Sequence, residues 1–133
     1  MKGTLMYKKL LFGVALFGLF SVLFAACAIV DTANLNANIP AVHMGSASFL
    51  QSSVTIKKGD MLNLIDDSSS PHNITNGSWV GSTQKPAKEA GAPSITQNYS
   101  GSDSAPVGPF TNTGTFHIYC TIHPGMNLTI VVK

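Results

Sequence analysis

The sequence predicts an all-β domain, built as a two-sheet β-sandwich, that follows an apolar N-terminal segment. Three observations support this prediction. Beyond the apolar segment the chain has short runs of alternating apolar and polar residues, which is the pattern of half-buried strands. Gly, Pro, Asn and Ser separate these runs, and no stretch has the spacing of an amphipathic helix. About a hundred residues of short strands and frequent turns are typical of a sandwich.

The first 26 residues have the pattern of an export signal. Lys8 and Lys9 close a positively charged stretch, and residues 10–30 follow without a charged side chain. This run is about as long as the roughly 20 apolar residues that span a bilayer, and small residues stand directly before Cys27, as in bacterial lipoprotein signals. Lipidation of Cys27, an uncleaved membrane anchor and ordinary cleavage nearby remain open. All three place the domain outside the cytoplasm, because lysines before the span stay inside.

Composition and charge exclude several classes of protein. Hydrophobic residues make up 44% of the chain and charged residues 11%, which excludes a disordered chain and a coiled coil. The chain has no arginine, and from Cys27 onward five lysines stand against six acidic residues, a formal net charge of −1. A nucleic-acid-binding role therefore has no electrostatic basis.

The rest of the chain divides into a tether and a folded domain. Residues 27–40 are polar and rich in asparagine, which predicts a flexible tether. Residues 41–133 form the predicted domain. Its first predicted strands are residues 41–44, 48–56 and 61–65.

The middle of the domain predicts mostly loops. Residues 68–114 are dense in Ser, Gly, Pro, Asn and Thr, with short strands expected only around 94–99 and 107–110. Regular alternation returns in the last two predicted strands. Their apolar side chains on one face are Phe116, Ile118, Cys120, Leu128, Ile130 and Val132. His117 and Tyr119 lie on the opposite face.

Three side chains that can bind a metal lie where the last two predicted strands join, and a fourth candidate lies elsewhere in the chain. Cys120 ends one strand, Met126 begins the next, and His123 lies between them, so a tight loop would gather a thiol, an imidazole and a thioether. The fourth candidate is His72, which follows the strand at 61–65. Two imidazoles, a thiolate and a weak methionine ligand suit a copper ion that cycles between Cu(I) and Cu(II). Zinc would more often take another thiolate, imidazole or carboxylate instead of the thioether.

These residues resemble a known family, the small blue copper proteins or cupredoxins, and in particular the plastocyanin and amicyanin branch. Residues 114–120 (GTFHIYC) look like that family's penultimate strand, and 71–73 (PHN) look like its first-histidine motif. The Cys-x2-His-x2-Met spacing is similar to the short ligand loop of amicyanin, whereas plastocyanin has a longer interval before its methionine. The resemblance covers residues 44–133 and is weakest over 77–107.

The resemblance implies a cupredoxin-like Greek-key β-sandwich that binds one copper ion. Carried over by motif, it implies that His72, Cys120 and His123 are equatorial ligands and that Met126 is axial. It also implies that Asn73 ties the two ligand loops together. The implied function is transfer of single electrons between redox proteins of the cell envelope. The N-terminal segment separately predicts attachment to the membrane through a lipid or an anchor, and we expect a monomer.

Other functions remain as alternatives. Copper delivery is the first, although such proteins often expose several methionine ligands and only Met126 is a convincing one here. A multicopper enzyme would need further histidine-rich sites, and a binuclear copper centre would need a second cysteine beside Cys120. Four protein ligands leave no open position for a substrate, so the sequence does not predict an enzyme.

The sequence also predicts where the other two histidines and the single tryptophan lie. His117 is expected at the surface, and His43 at the surface or on an edge strand rather than in a second metal site. Trp79 is expected to pack against a loop rather than to mediate electron flow.

Overall fold

The structure, a computed structural model, describes residues 39–133. This part of the chain forms nine β-strands, and it contains no helix long and apolar enough to cross a membrane. The strands are β1 (Ala41–Met44), β2 (Ser53–Ile56), β3 (Leu62–Asp66), β4 (His72–Val80), β5 (Thr83–Pro86), β6 (Thr96–Tyr99), β7 (Ser104–Val107), β8 (Gly114–Cys120) and β9 (Asn127–Val132). The predicted export signal, Cys27 and the tether up to residue 38 lie outside the described residues.

The strands form two sheets, which confirms the predicted all-β sandwich. In the smaller sheet β3 pairs with β1 in parallel and with β7 in antiparallel orientation. In the larger sheet the order is β2-β9-β8-β4, with β5 and β6 also paired to β4. Only β2 and β9 are parallel in this sheet. Parallel strands cannot be joined by a tight hairpin, so the chain must cross over between β1 and β3 and between β2 and β9.

Alternating apolar side chains build the core between the sheets. In β9, Leu128, Ile130 and Val132 are buried while the residues between them are partly exposed. Phe116 and Ile118 of β8 are buried in the same cluster. The alternation predicted for the last two strands is therefore confirmed, and it determines which face of the larger sheet meets the core.

The opposite face of β8 is also covered. Tyr119 is only 1% exposed, because the indole of Trp79 packs edge-on against its ring with centroids 6.1 Å apart. The Tyr119 hydroxyl donates a hydrogen bond to Gln84 Oε1 at 3.2 Å. Trp79 lies in β4 and packs against a strand, so the expectation that it packs against a loop was wrong.

The structure contradicts the prediction that residues 68–114 are mostly loops. This stretch contains the nine-residue strand β4 and the strand β5, neither of which the sequence predicts. Asn, Gly and Ser have low β propensity, but β4 pairs with β6, β8 and β5 along its length, and this pairing outweighs the propensity. Two boundaries also differ: β7 precedes the strand expected at 107–110, and β2 covers only the end of 48–56.

Candidate metal centre

The loop between β8 and β9 is closed by its own backbone. The Cys120 N–H donates to the Met126 carbonyl at 3.0 Å, and the Met126 N–H donates to the His123 carbonyl at 3.1 Å. The side-chain amide of Asn127 then holds β9 against β4, since it accepts from the Trp79 N–H at 2.7 Å and donates to the Trp79 carbonyl at 3.1 Å. The three candidate ligands of this loop are therefore attached to a fixed frame.

Strand β4 brings the first histidine to the same end of the sandwich. Ile74 pairs with Cys120 across the β4–β8 ladder, and His72 lies two residues earlier in β4. The Thr121 N–H donates to the Asn73 carbonyl at 2.9 Å, which joins the β4 start to the Cys120 loop. The hydrogen bond between the start of β4 and the Cys120 loop is thus made by the backbone of Asn73. The side chain of Asn73 is exposed.

Three donor atoms meet at this end of the sandwich. Nδ1 of His123 lies 3.2 Å from Nδ1 of His72 and 3.4 Å from Sγ of Cys120. The ligand atoms of the three residues all lie within 4.8 Å of one another. Metal bonds of about 2.0 Å to nitrogen and 2.3 Å to sulfur would let one ion contact all three. Met126, the fourth predicted ligand, is 2% exposed and bonds through its backbone to both Cys120 and His123.

The ligands differ in their access to solvent. His72 and Cys120 are fully buried, whereas His123 is partly exposed between Ile122 and Pro124, which point outward. Cys120 is a free thiol in this part of the chain. The site therefore communicates with the surface through one imidazole.

Burial also affects the proton affinity of His72. Desolvation lowers the pKa of His72 below its ordinary value of 6.5, and the charge of the neighbouring Asp66 acts in the opposite direction. A lowered pKa keeps the ring neutral near pH 7, and a neutral ring is the form that binds metals.

The donor set fits copper better than zinc. Two imidazole nitrogens and one thiol, with a buried methionine on the same loop, match the ligand type of blue copper centres. Asp66 is the nearest carboxylate to His72, but it faces Nε2 while Nδ1 faces the other donors. The donor set therefore lacks the carboxylate that zinc commonly takes.

The other two described histidines lie apart from this cluster. His43, on the edge strand β1, pairs with Asp67 at 2.7 Å, and His117 pairs with Glu89 at 2.7 Å. Both imidazoles are partly exposed, which confirms the surface positions expected for them.

Sequence reasoning missed two residues that contact the site. The Trp79 indole N–H donates to the Cys120 carbonyl at 2.7 Å, and the buried Asp66 lies beside His72. No local pattern marks Trp79, because the contact depends on the unrecognised strand β4. Asp66 could have been noticed in the sequence, because it is an acidic residue at the end of an apolar strand.

Comparison with known proteins supports this interpretation of the site. The family described as copper binding proteins, plastocyanin/azurin family, matches residues 38–133. No curated protein matches the chain.

Solved structures support the fold. The structure is similar to amicyanin from Paracoccus versutus, with a TM-score of 0.57, 22% identity, and coverage of 76% of this chain and 87% of amicyanin. It is also similar to a purple cupredoxin from Nitrosopumilus maritimus, with a TM-score of 0.55, 16% identity, and coverage of 71% and 99%. The fold is thus the cupredoxin β-sandwich expected from the sequence motifs. Because the family match covers most of the chain and the donor set fits one copper ion, the protein belongs to the plastocyanin/azurin family of copper-binding proteins.

Proposed function

We propose that the protein carries single electrons between redox partners through one copper ion held by His72, Cys120 and His123, with Met126 as the weak axial ligand. The observation that carries the proposal is the convergence of two Nδ1 atoms and one Sγ atom at one end of the sandwich. When bound, copper supplies a one-electron couple. We do not propose an enzyme, since four protein ligands leave no position for a substrate.

The frame around the ligands suits electron transfer. Backbone hydrogen bonds tie Met126 to Cys120 and His123, and another ties Thr121 to Asn73. Ligands held in this way need to move little between oxidation states, which keeps the reorganisation on electron transfer small. The buried Cys120 and His72 also exclude water from the sulfur and from one imidazole.

His123 is the proposed exit for electrons. Its imidazole is the partly exposed ligand, and its surface neighbours in the loop are Ile122, which is 45% exposed, Pro124 and Gly125. Pro71, which directly precedes His72, is also exposed. None of these side chains is charged. A small uncharged surface around an exposed ligand edge favours brief docking of redox partners.

We further propose that the domain works outside the cytoplasm, attached to the membrane through its N-terminal segment. The direction of the strands supports this arrangement. Strand β3 runs toward Asp66, beside His72, and β1 is parallel to it, so Ala41 begins β1 at the end of the sandwich away from the copper site. A membrane attachment before Ala41 would leave His123 free to meet partners.

Stopped-flow kinetics of the copper-loaded full chain in detergent test electron transfer. Ascorbate-reduced protein mixed with ferricyanide should regain its visible absorption in a single step, with one electron per copper. A Cys120→Ser variant should show no such step. A steady-state assay with nitrite or phenolic substrates should show no turnover, and sustained turnover would contradict the assignment as a carrier.

A second measurement separates electron transfer from copper delivery. Because His72 and Cys120 are fully buried, we expect copper to remain bound when the loaded protein is mixed with a copper-free acceptor protein. Complete transfer of copper within seconds would support delivery and would contradict the carrier proposal.

A further inference from the structure

A buried carboxylate lies directly behind the first histidine. Asp66, the last residue of β3, is 2% exposed, and its Oδ1 lies 3.7 Å from Nε2 of His72, which is fully buried. Asp66 Oδ1 accepts hydrogen bonds from the Ser68 N–H at 2.9 Å and from the Ser68 hydroxyl at 2.8 Å. Asp66 is therefore held in place on the side of His72 opposite the ligand cluster.

Two polar atoms at this contact have no hydrogen-bond partner within residues 39–133. They are Oδ2 of Asp66 and Nε2 of His72, both buried. Buried polar atoms are nearly always paired, so an unpaired Nε2 beside a carboxylate indicates an interaction that forms in another state of the protein. The metal-bound protein is such a state. When a metal occupies Nδ1 of the neutral His72 ring, the ring proton is on Nε2, and Nε2 becomes a hydrogen-bond donor.

We propose that Asp66 is a positioning residue of the copper centre: its carboxylate accepts a hydrogen bond from Nε2–H of His72, fixes the ring, and lowers the reduction potential. This inference rests on the proposed function, since it takes His72 as a ligand through Nδ1. The separation of 3.7 Å is slightly longer than a hydrogen bond, so a small rotation of either side chain completes it. Histidine ligands usually donate their second N–H to a carboxylate, a carbonyl or water.

The charge of Asp66 gives the contact a redox consequence. A buried negative charge near the metal stabilises Cu(II) more than Cu(I), because the oxidised ion carries one more positive charge. The electron enters from an external partner and no proton leaves Asp66 or His72. The Gly45 backbone also lies near His72, so its carbonyl is the alternative acceptor that the experiments must distinguish from Asp66.

The reduction potential of an Asp66→Asn variant tests the inference. Asparagine keeps the shape and an acceptor oxygen but removes the charge, so the preference for Cu(II) should fall about tenfold, which is about 59 mV upward for one electron. Asp67→Asn is the matched control, because Asp67 is the next residue, is half exposed and pairs with His43 at the surface. In a redox titration, the Asp67→Asn variant should have the same reduction potential as the unaltered protein. An equal potential in Asp66→Asn would overturn the inference.

A second variant should move the potential in the opposite direction. Ser68→Ala removes the hydroxyl that donates to Asp66 Oδ1 and leaves the charge in place, so the carboxylate acts more strongly on His72. Ser68 is partly exposed, so the substitution should leave the fold intact even if Asp66→Asn does not fold. We expect a lower potential than in the unaltered protein, and an unchanged or higher potential would contradict the role of Asp66.

Proton NMR of the Cu(I) protein identifies the acceptor directly. The Nε2–H resonance of His72 should lie downfield and should move upfield in Asp66→Asn. A resonance that stays in place in the variant would assign the bond to Gly45 and would overturn the inference. The two proposals can fail separately: an unaltered protein that binds copper without colour refutes the blue copper site, whereas a blue protein with an unchanged Asp66→Asn potential refutes only the role of Asp66.

Discussion

At the scale of single residues, Cys120 connects the metal site to the fold through both its side chain and its backbone. Its Sγ faces His123, and its carbonyl accepts the indole N–H of Trp79 from the outer face of the sheet. The same tryptophan covers Tyr119, the preceding residue of β8. The Trp79 side chain therefore stabilises β8, the strand that carries the Cys120 sulfur.

Replacement of Trp79 by phenylalanine should destabilise the domain. The ring would still cover Tyr119, but the carbonyl of the fully buried Cys120 would lose its donor, at a cost of about 1–3 kcal/mol. Chemical denaturation of the copper-free protein measures this loss. Tyr119→Phe is the control, because it removes a hydroxyl that bonds to the exposed Gln84, and it should cost clearly less. Equal losses would contradict the account of Trp79.

Substitutions of Met126 should tune the reduction potential without abolishing copper binding. Leucine removes the thioether and should raise the potential, whereas glutamine offers a harder oxygen donor that favours Cu(II) and should lower it. Redox titration of the two variants measures the shifts. If both potentials equal that of the unaltered protein, Met126 is not an axial ligand.

The copper-free protein should lose stability as the pH falls. Burial lowers the pKa of His72, so below about pH 6.5 the unfolded chain binds a proton at this residue that the folded chain does not. The free energy of unfolding should therefore decrease from about pH 7.5 to 5.5. His72→Gln should flatten the profile, while His117→Gln, at a partly exposed site, should keep the fall. Identical profiles in the two variants would contradict this origin.

At the scale of elements, the sequence predicted β8 and β9, which flank the ligand loop, better than β4, which carries His72. The alternation of Phe116, Ile118 and Cys120 is local information, so β8 and β9 were placed correctly. Strand β4 has a weak pattern of its own and depends on β5, β6 and β8, which pair with it only in the folded chain. The convergence of His72 with Cys120 and His123 could be expected from motifs, but Asp66 and Trp79 reach the site through tertiary contacts.

Glycine at position 77 is a requirement of the β4–β5 pair. Gly77 has a φ of +121°, and a Cβ there would lie 2.3 Å from the Lys85 carbonyl oxygen. Gly77→Ala should therefore lower the unfolding free energy by roughly 2–4 kcal/mol, because the backbone of β5 must move. Gly81→Ala is the control: its φ is also positive, at +60°, but no atom lies within 4 Å of the added Cβ. A control as destabilised as Gly77→Ala would contradict a steric origin.

At the scale of the whole molecule, the copper site and three lysines lie at opposite ends of the sandwich. Cys120 ends β8 at the copper end, while β9 runs from that end to Val132, and Ile56 ends the parallel strand β2 beside it. Lys57, Lys58 and Lys133 follow these strands, so these three lysines lie at the far end, and Ile122, Pro124 and Gly125 beside His123 are uncharged. Partners that approach the exposed ligand thus meet apolar contacts.

Optical and electron paramagnetic resonance spectra of the full chain, recorded during titration with Cu(II), test the copper centre most directly. We expect an intense visible band from thiolate-to-Cu(II) charge transfer that saturates at one copper per chain, a single mononuclear Cu(II) signal, and loss of both on reduction. A colourless product, saturation at two coppers, or colour that persists in Cys120→Ser would contradict the account.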